Sequence, residues 1–204
     1  FYIMRFSRLF AFLACVLLAQ PAAATMLAGS STPIASPDET IGFDEVALGG
    51  GTTVTDQFAS LGITFGAPGV SYATSVSGRP NFSGPAVLKF GGDTVSILFD
   101  HDVTDMSAAI TANFGTMTVT SLLDGTQVET FPWTFPNNTV STNQNNFFGF
   151  TGSLFDEVRI DLGGSTSIAM DTLSYTKAAI PTPGTLPLLA IGLGAGLLCR
   201  RHRR

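Results

Sequence analysis

Short apolar runs that alternate with polar residues, each stopped by a turn signal, constrain this chain more than any other feature. Ala86, Leu88 and Phe90 alternate before Gly91-Gly92-Asp93, and Val95, Ile97 and Phe99 follow. Met117 and Val119 lead to Leu122, Asp124-Gly125 interrupts, and Val128 and Phe131 resume. Val158, Ile160 and Leu162 run into Gly163-Gly164, and Ile168, Met170 and Leu173 lead into Tyr175. Side chains of a strand point alternately to its two faces, so a period of two describes a sheet with one face in a core and one in water. Asp-Gly between two such runs is a hairpin signal. The pattern predicts an all-β fold, an antiparallel β-sandwich, over residues 41–177. One short helix is expected at Thr55–Leu61, capped by Thr53 or Thr55 and stopped by Gly62. The Asn-rich stretch Asn137–Asn146 reads as a loop.

Both ends of the chain break the pattern. Met4 is the expected start, followed by Arg5 and Arg8, an apolar core from Leu9 to Ala19, and Pro21-Ala22-Ala23-Ala24. A positive n-region, a short apolar core and small residues at Ala22 and Ala24 read as a secretory signal peptide over residues 1–24. Residues 25–40 read as a linker. At the other end, residues 178–204 form a tail with Pro181, Thr182, Pro183 and Gly184 ahead of an apolar run from Leu186 to Cys199. Arg200, Arg201, Arg203 and Arg204 close it. As a helix the run 186–199 would be about 21 Å long, short against a hydrocarbon core of about 30 Å. Snorkelling arginines and local thinning can make up the difference. The positive-inside rule keeps the arginines cytoplasmic and puts the body on the far side of a C-terminal transmembrane helix.

The Pro-x-Pro motif, the apolar helix rich in Gly, Leu and Ala, and the terminal arginine cluster resemble the PEP-CTERM sorting signal of Gram-negative bacteria. Thr182 stands where that motif usually carries Glu. The resemblance covers residues 181–204. It implies export, a transient inner-membrane anchor, processing by an exosortase-type membrane enzyme, and release to the cell surface or extracellular matrix. In the body, Phe43-Asp44-Glu45, Leu61-Gly62-Ile63-Thr64-Phe65, Asp124-Gly125, Phe155-Asp156-Glu157 and Ala169-Met170-Asp171-Thr172-Leu173 follow one another. That order is similar to the galactose-binding-like jelly rolls found ahead of PEP-CTERM tails. Those often end in an Asp-Asn-Leu strand, and Thr172 takes the Asn position here.

Removing the two ends changes the charge balance. The whole chain is at −5, but six of its ten basic residues lie in the ends and all fifteen acidic ones lie in the body. The body therefore has a net charge of −11 and no cationic surface on which nucleic acid could replace its counterions. The two cysteines, Cys15 and Cys199, also lie in the ends, so the exported body is expected to hold together without disulfides.

Candidate chemistry is sparse. Asp44, Glu45 and Asp171 come together if the first and last strands pair. Hard oxygen ligands suit Ca²⁺, and a structural calcium is what the jelly-roll resemblance implies there. The alternative is that they are solvated edge residues. Asp100, Asp102 and Asp105 cluster around His101, as a second cation site or as an acidic bend. His101 is the only histidine of the body, with no cysteine or serine elbow to activate. Phe131, Trp133 and Phe135 share a strand face, which serves as a sugar-stacking platform if exposed and as core if buried. The expected function is a non-catalytic exported surface or matrix protein, with extracellular polysaccharide as a candidate ligand. The alternative is a secreted polysaccharide hydrolase acting through paired carboxylates.

Overall fold

The computed structural model describes residues 25–66, 70–74, 79–90, 94–112, 115–134, 144–163 and 168–179. The expected signal peptide with Ala22 and Ala24, the sorting motif, the apolar run 186–199 and the terminal arginines lie outside them, as does Phe135. Among the described residues no helix is long and apolar enough to cross a membrane.

The strands are β1 (Thr25–Ser30), β2 (Glu39–Ile41), β3 (Thr53–Val54), β4 (Ile63–Phe65), β5 (Val70–Ala73) and β6 (Val87–Phe90). They continue with β7 (Thr94–Ala112), β8 (Thr116–Leu123), β9 (Thr126–Thr134), β10 (Phe147–Thr151), β11 (Phe155–Asp161) and β12 (Ile168–Lys177). All pairings are antiparallel. The expected alternation is realised in β8, where Met117 and Val119 are buried and Thr118 is exposed, and in β11, where Val158 and Ile160 are buried and Arg159 is exposed. The Asp124-Gly125 hairpin also forms, with φ of 50° and 74° at its two residues.

The nineteen residues of β7 organise everything else. Its first half pairs with β4 and β11, and β11 leads outward to β8 and β9. Its second half pairs with β10 and β12, and β12 leads to β6, β5 and β3. One long strand thus passes from one sheet to the other, which is how sandwich corners are built. Aromatic side chains close the space between the sheets. Phe131 of β9 meets Phe150 of β10 edge-on at 5.3 Å, and Phe99 of β7 meets Tyr175 of β12 at 5.2 Å. Each such pair is worth about 0.5–1.5 kcal/mol beyond its buried area.

Two expectations need correction. Residues 25–40 are not a bare linker. They contain β1, paired with β10, and the start of β2, paired with β12. The polar, small-residue composition that suggested a linker is that of an exposed edge strand. The expected helix at Thr55–Leu61 shrinks to a single 3₁₀ turn, Ala59–Leu61. Val54 belongs to β3, and Gln57 Oε1 accepts the Thr55 N–H, so no helical turn starts there. A segment this short has no helical stability of its own, and it follows the burial of Phe58, which packs edge-on against Phe43 at 5.3 Å. Gly62 does stop the turn, in the left-handed conformation at φ 81°.

Candidate functional site

Asp44, Glu45 and Asp171 do gather around one segment, residues 81–86, but each is turned towards backbone donors. Asp171 is fully buried, and its carboxylate accepts the Ser83 N–H at 2.6 Å, the Ser83 hydroxyl at 3.1 Å and the Thr172 N–H at 2.6 Å. Asp44 accepts the Ala86 N–H at 3.2 Å, and Glu45 accepts the Gly42 N–H at 2.8 Å. Two glycines let these elements approach closely. A Cβ on Gly42 would overlap the Ser83 hydroxyl, and one on Gly84 would overlap the Asp44 carboxylate.

The same cluster holds three non-glycine residues at positive φ: Phe43 at 62°, Asn81 at 65° and Thr172 at 50°. Side chains fasten each neighbour. Thr172 donates its hydroxyl to the Asn81 carbonyl at 2.7 Å, and Asn81 donates its amide to Asn146 Oδ1 at 2.6 Å. Asn146 in turn donates to the Pro80 carbonyl at 3.1 Å. The Tyr72 hydroxyl donates to the Phe43 carbonyl at 3.2 Å. Burial pushes the Asp171 carboxyl up to about 6, and the hydrogen bonds from Thr172, Ser83 and Gly84 only partly oppose it. The arrangement clamps a loop. Among the described residues no group of three or more Asp, Glu, His or Cys side chains is placed to hold a metal. Asp44, Glu45 and Asp171 accept backbone N–H groups here.

The second acidic group has separate partners. Asp100 pairs with His101 Nδ1, while Asp105 accepts the Gly152 N–H at 2.9 Å and the Thr104 hydroxyl at 2.7 Å. Asp102 takes part through its carbonyl, which accepts the Ala178 N–H at 2.9 Å. The His101 ring lies 5.7 Å from that of Tyr175, whose hydroxyl donates to the Leu61 carbonyl at 2.7 Å. Burial and the nearby Glu39, Asp100 and Asp38 push the Tyr175 hydroxyl up to about 12, so it stays a donor.

The aromatic face of β9 belongs to the core. Phe131 is 2% and Trp133 9% exposed, and Trp133 packs against Phe148 with ring centroids 6.3 Å apart. Trp133 therefore offers no open stacking surface to a sugar. Sequence reasoning gave Ser83, Asn81, Asn146, Gly42 and Gly84 no part in this cluster. The turn signal Ser83-Gly84-Pro85 marks the loop, but nothing local to it names its distant partner Asp171.

No family model and no curated protein matches this chain. Among solved structures, one match is the CBM32-3 module of a family 31 glycoside hydrolase from Clostridium perfringens. It shows 16% identity and a TM-score of 0.32, over 51% of this chain and 81% of that one. The catalytic domain of a GH87 α-1,3-glucanase shows 11% identity and a TM-score of 0.30, over 67% of this chain and 30% of that one. The enzymatically active domain of tailspike protein 4 from bacteriophage CBA120 shows 9% identity and a TM-score of 0.30, over 79% of this chain and 20% of that one. Likeness at this level carries neither fold nor function with it.

Proposed function

We propose that this is a non-catalytic exported protein, sorted by its tail to the cell surface or extracellular matrix, where the β-sandwich serves as a building or binding module. The observation that carries the reading is the division of the sequence itself: the expected leader, with Arg5 and Arg8, and the expected tail, with Arg200, Arg201, Arg203 and Arg204, flank a body that holds all fifteen acidic residues and the alternating apolar runs of the β-strands. The carboxylates of Asp44, Glu45 and Asp171, gathered around residues 81–86, accept backbone N–H groups, which supports a structural role for that cluster. In this account an exosortase-type enzyme of the inner membrane is the processing partner.

Fractionation of cells making the full chain, or a chain ending at Ile180, tests this. The full chain should pass through the inner-membrane fraction on its way to the surface. The shortened chain should collect in the periplasm. An identical distribution of the two would contradict the proposal.

A further inference from the structure

Each of β2 to β12 contributes at least one buried residue to the fold, whereas β1 contributes none. Met26 is 50% exposed, and β1 pairs with β10 alone. The strand beneath it is the opposite. Phe147, Phe148, Gly149 and Phe150 of β10 are buried in succession. β10 therefore needs a partner on this edge to satisfy its backbone, while β1 is held there mostly by main-chain bonds.

We infer that β1 is an exchangeable strand, able to leave its own β10 and pair with β10 of a second copy of this chain. The connection is built for it. Gly29 sits at φ 69°, and the β1–β10 register shifts between Ala28 and Ser30. Ser30 then makes a small turn of its own, its hydroxyl donating to the Thr32 carbonyl at 2.7 Å. Pro33 follows. The chain is fixed again at Ile34, 7% exposed, whose N–H donates to the Ser107 hydroxyl at 3.1 Å. The hinge is thus Gly29 to Pro33, and opening it changes a few backbone angles and withdraws no buried side chain of β1. Domain swapping is favoured by this combination, because the open and closed forms make the same strand contacts.

The occupant follows from the register. Leu27 lies opposite Gly149, where a Cβ would overlap the Met106 carbonyl, so β10 takes only glycine at that place in the ladder. The Thr151 hydroxyl donates to the Thr25 carbonyl at 3.2 Å and sets the end of the register. The β1 of a second copy carries the same register, turn and hinge and so reproduces these contacts.

Cysteine cross-linking in the exported chain tests the exchange, with Cys15 and Cys199 changed to Ser so that no native thiol interferes. Thr25 and Thr151 face each other across the pair. A Thr25→Cys/Thr151→Cys chain should close an internal disulfide in dilute solution. A Thr25→Cys chain mixed with a Thr151→Cys chain near millimolar concentration should give a mixed disulfide dimer about five-fold or more above the level that random collision gives, falling on dilution. Internal closure of the double variant, with no excess of mixed dimer in the concentrated mixture, would overturn the inference. So would failure of the double variant to close.

Discussion

Ser83 donates both its backbone N–H, at 2.6 Å, and its hydroxyl, at 3.1 Å, to the buried carboxylate of Asp171. Through that one residue the loop at 81–86 is tied to the last strand, eighty-eight positions away in sequence.

Replacing Asp171 by Asn should destabilise the body by about 1–3 kcal/mol, because the new amide NH₂ faces N–H donors and leaves one unsatisfied. Urea unfolding at pH 5 checks this. The pH dependence has a definite sign. The Asp171 carboxyl lies at about 6 in the fold against 3.8 ordinarily, so folding favours the protonated form. Its stabilising contribution is complete below pH 3.8 and is lost as pH rises through about 6, a change of roughly 3 kcal/mol. The Asn variant should lose that part of the slope between pH 4 and 7.

Thr172 is β-branched and held at φ 50°, at the bulge where β12 slips against β7. Asn tolerates this region better than Thr. Thr172→Asn should therefore raise stability by about 0.5–1 kcal/mol, with its amide replacing the hydroxyl that donates to the Asn81 carbonyl. Thr172→Val loses that donor and should cost about 1 kcal/mol. Thermal melts of the two variants should move in opposite directions.

Glycines at positive φ divide into two classes. Gly51, at φ 84°, has nothing within 4 Å of its Cβ position, and Gly51→Ala should cost only about 1–2 kcal/mol of backbone strain. At Gly149 a Cβ would overlap the Met106 carbonyl, and the strands there cannot separate without breaking the β7–β10 ladder. Gly149→Ala should abolish folded, secreted protein, as read by protease resistance of the exported fraction.

Trp133, buried against Phe148, should emit at short wavelength in the native state and shift to the red on unfolding. Added extracellular polysaccharide should leave that emission unchanged. A saturable change would return the β9 face to the list of binding surfaces.

Much of the sheet was legible because alternation is a local property. The runs around Val95–Phe99, Met117–Val119 and Val158–Ile160 each announce a strand without reference to the rest of the chain. The Asp124-Gly125 hairpin is local too. What was not legible is long-range or conditional. β1 looks like a linker because its short run of residues shows no alternation and buries no side chain, and its pairing with the distant β10 makes it a strand. The segment at Thr55–Leu61 carries helical signals that the burial of Phe58 overrides. Asp44, Glu45 and Asp171 lie around one segment. The sequence could not reveal that backbone N–H groups would be their partners, because the Ser83 and Ala86 donors come from a distant part of the chain.

Intact mass of the protein recovered from outside the cell tests the central claim most directly. The account predicts a chain that starts at Thr25 and lacks Arg200, Arg201, Arg203 and Arg204. Recovery of the full-length chain dissolved in the cytosol, with leader and arginines both present, would contradict it.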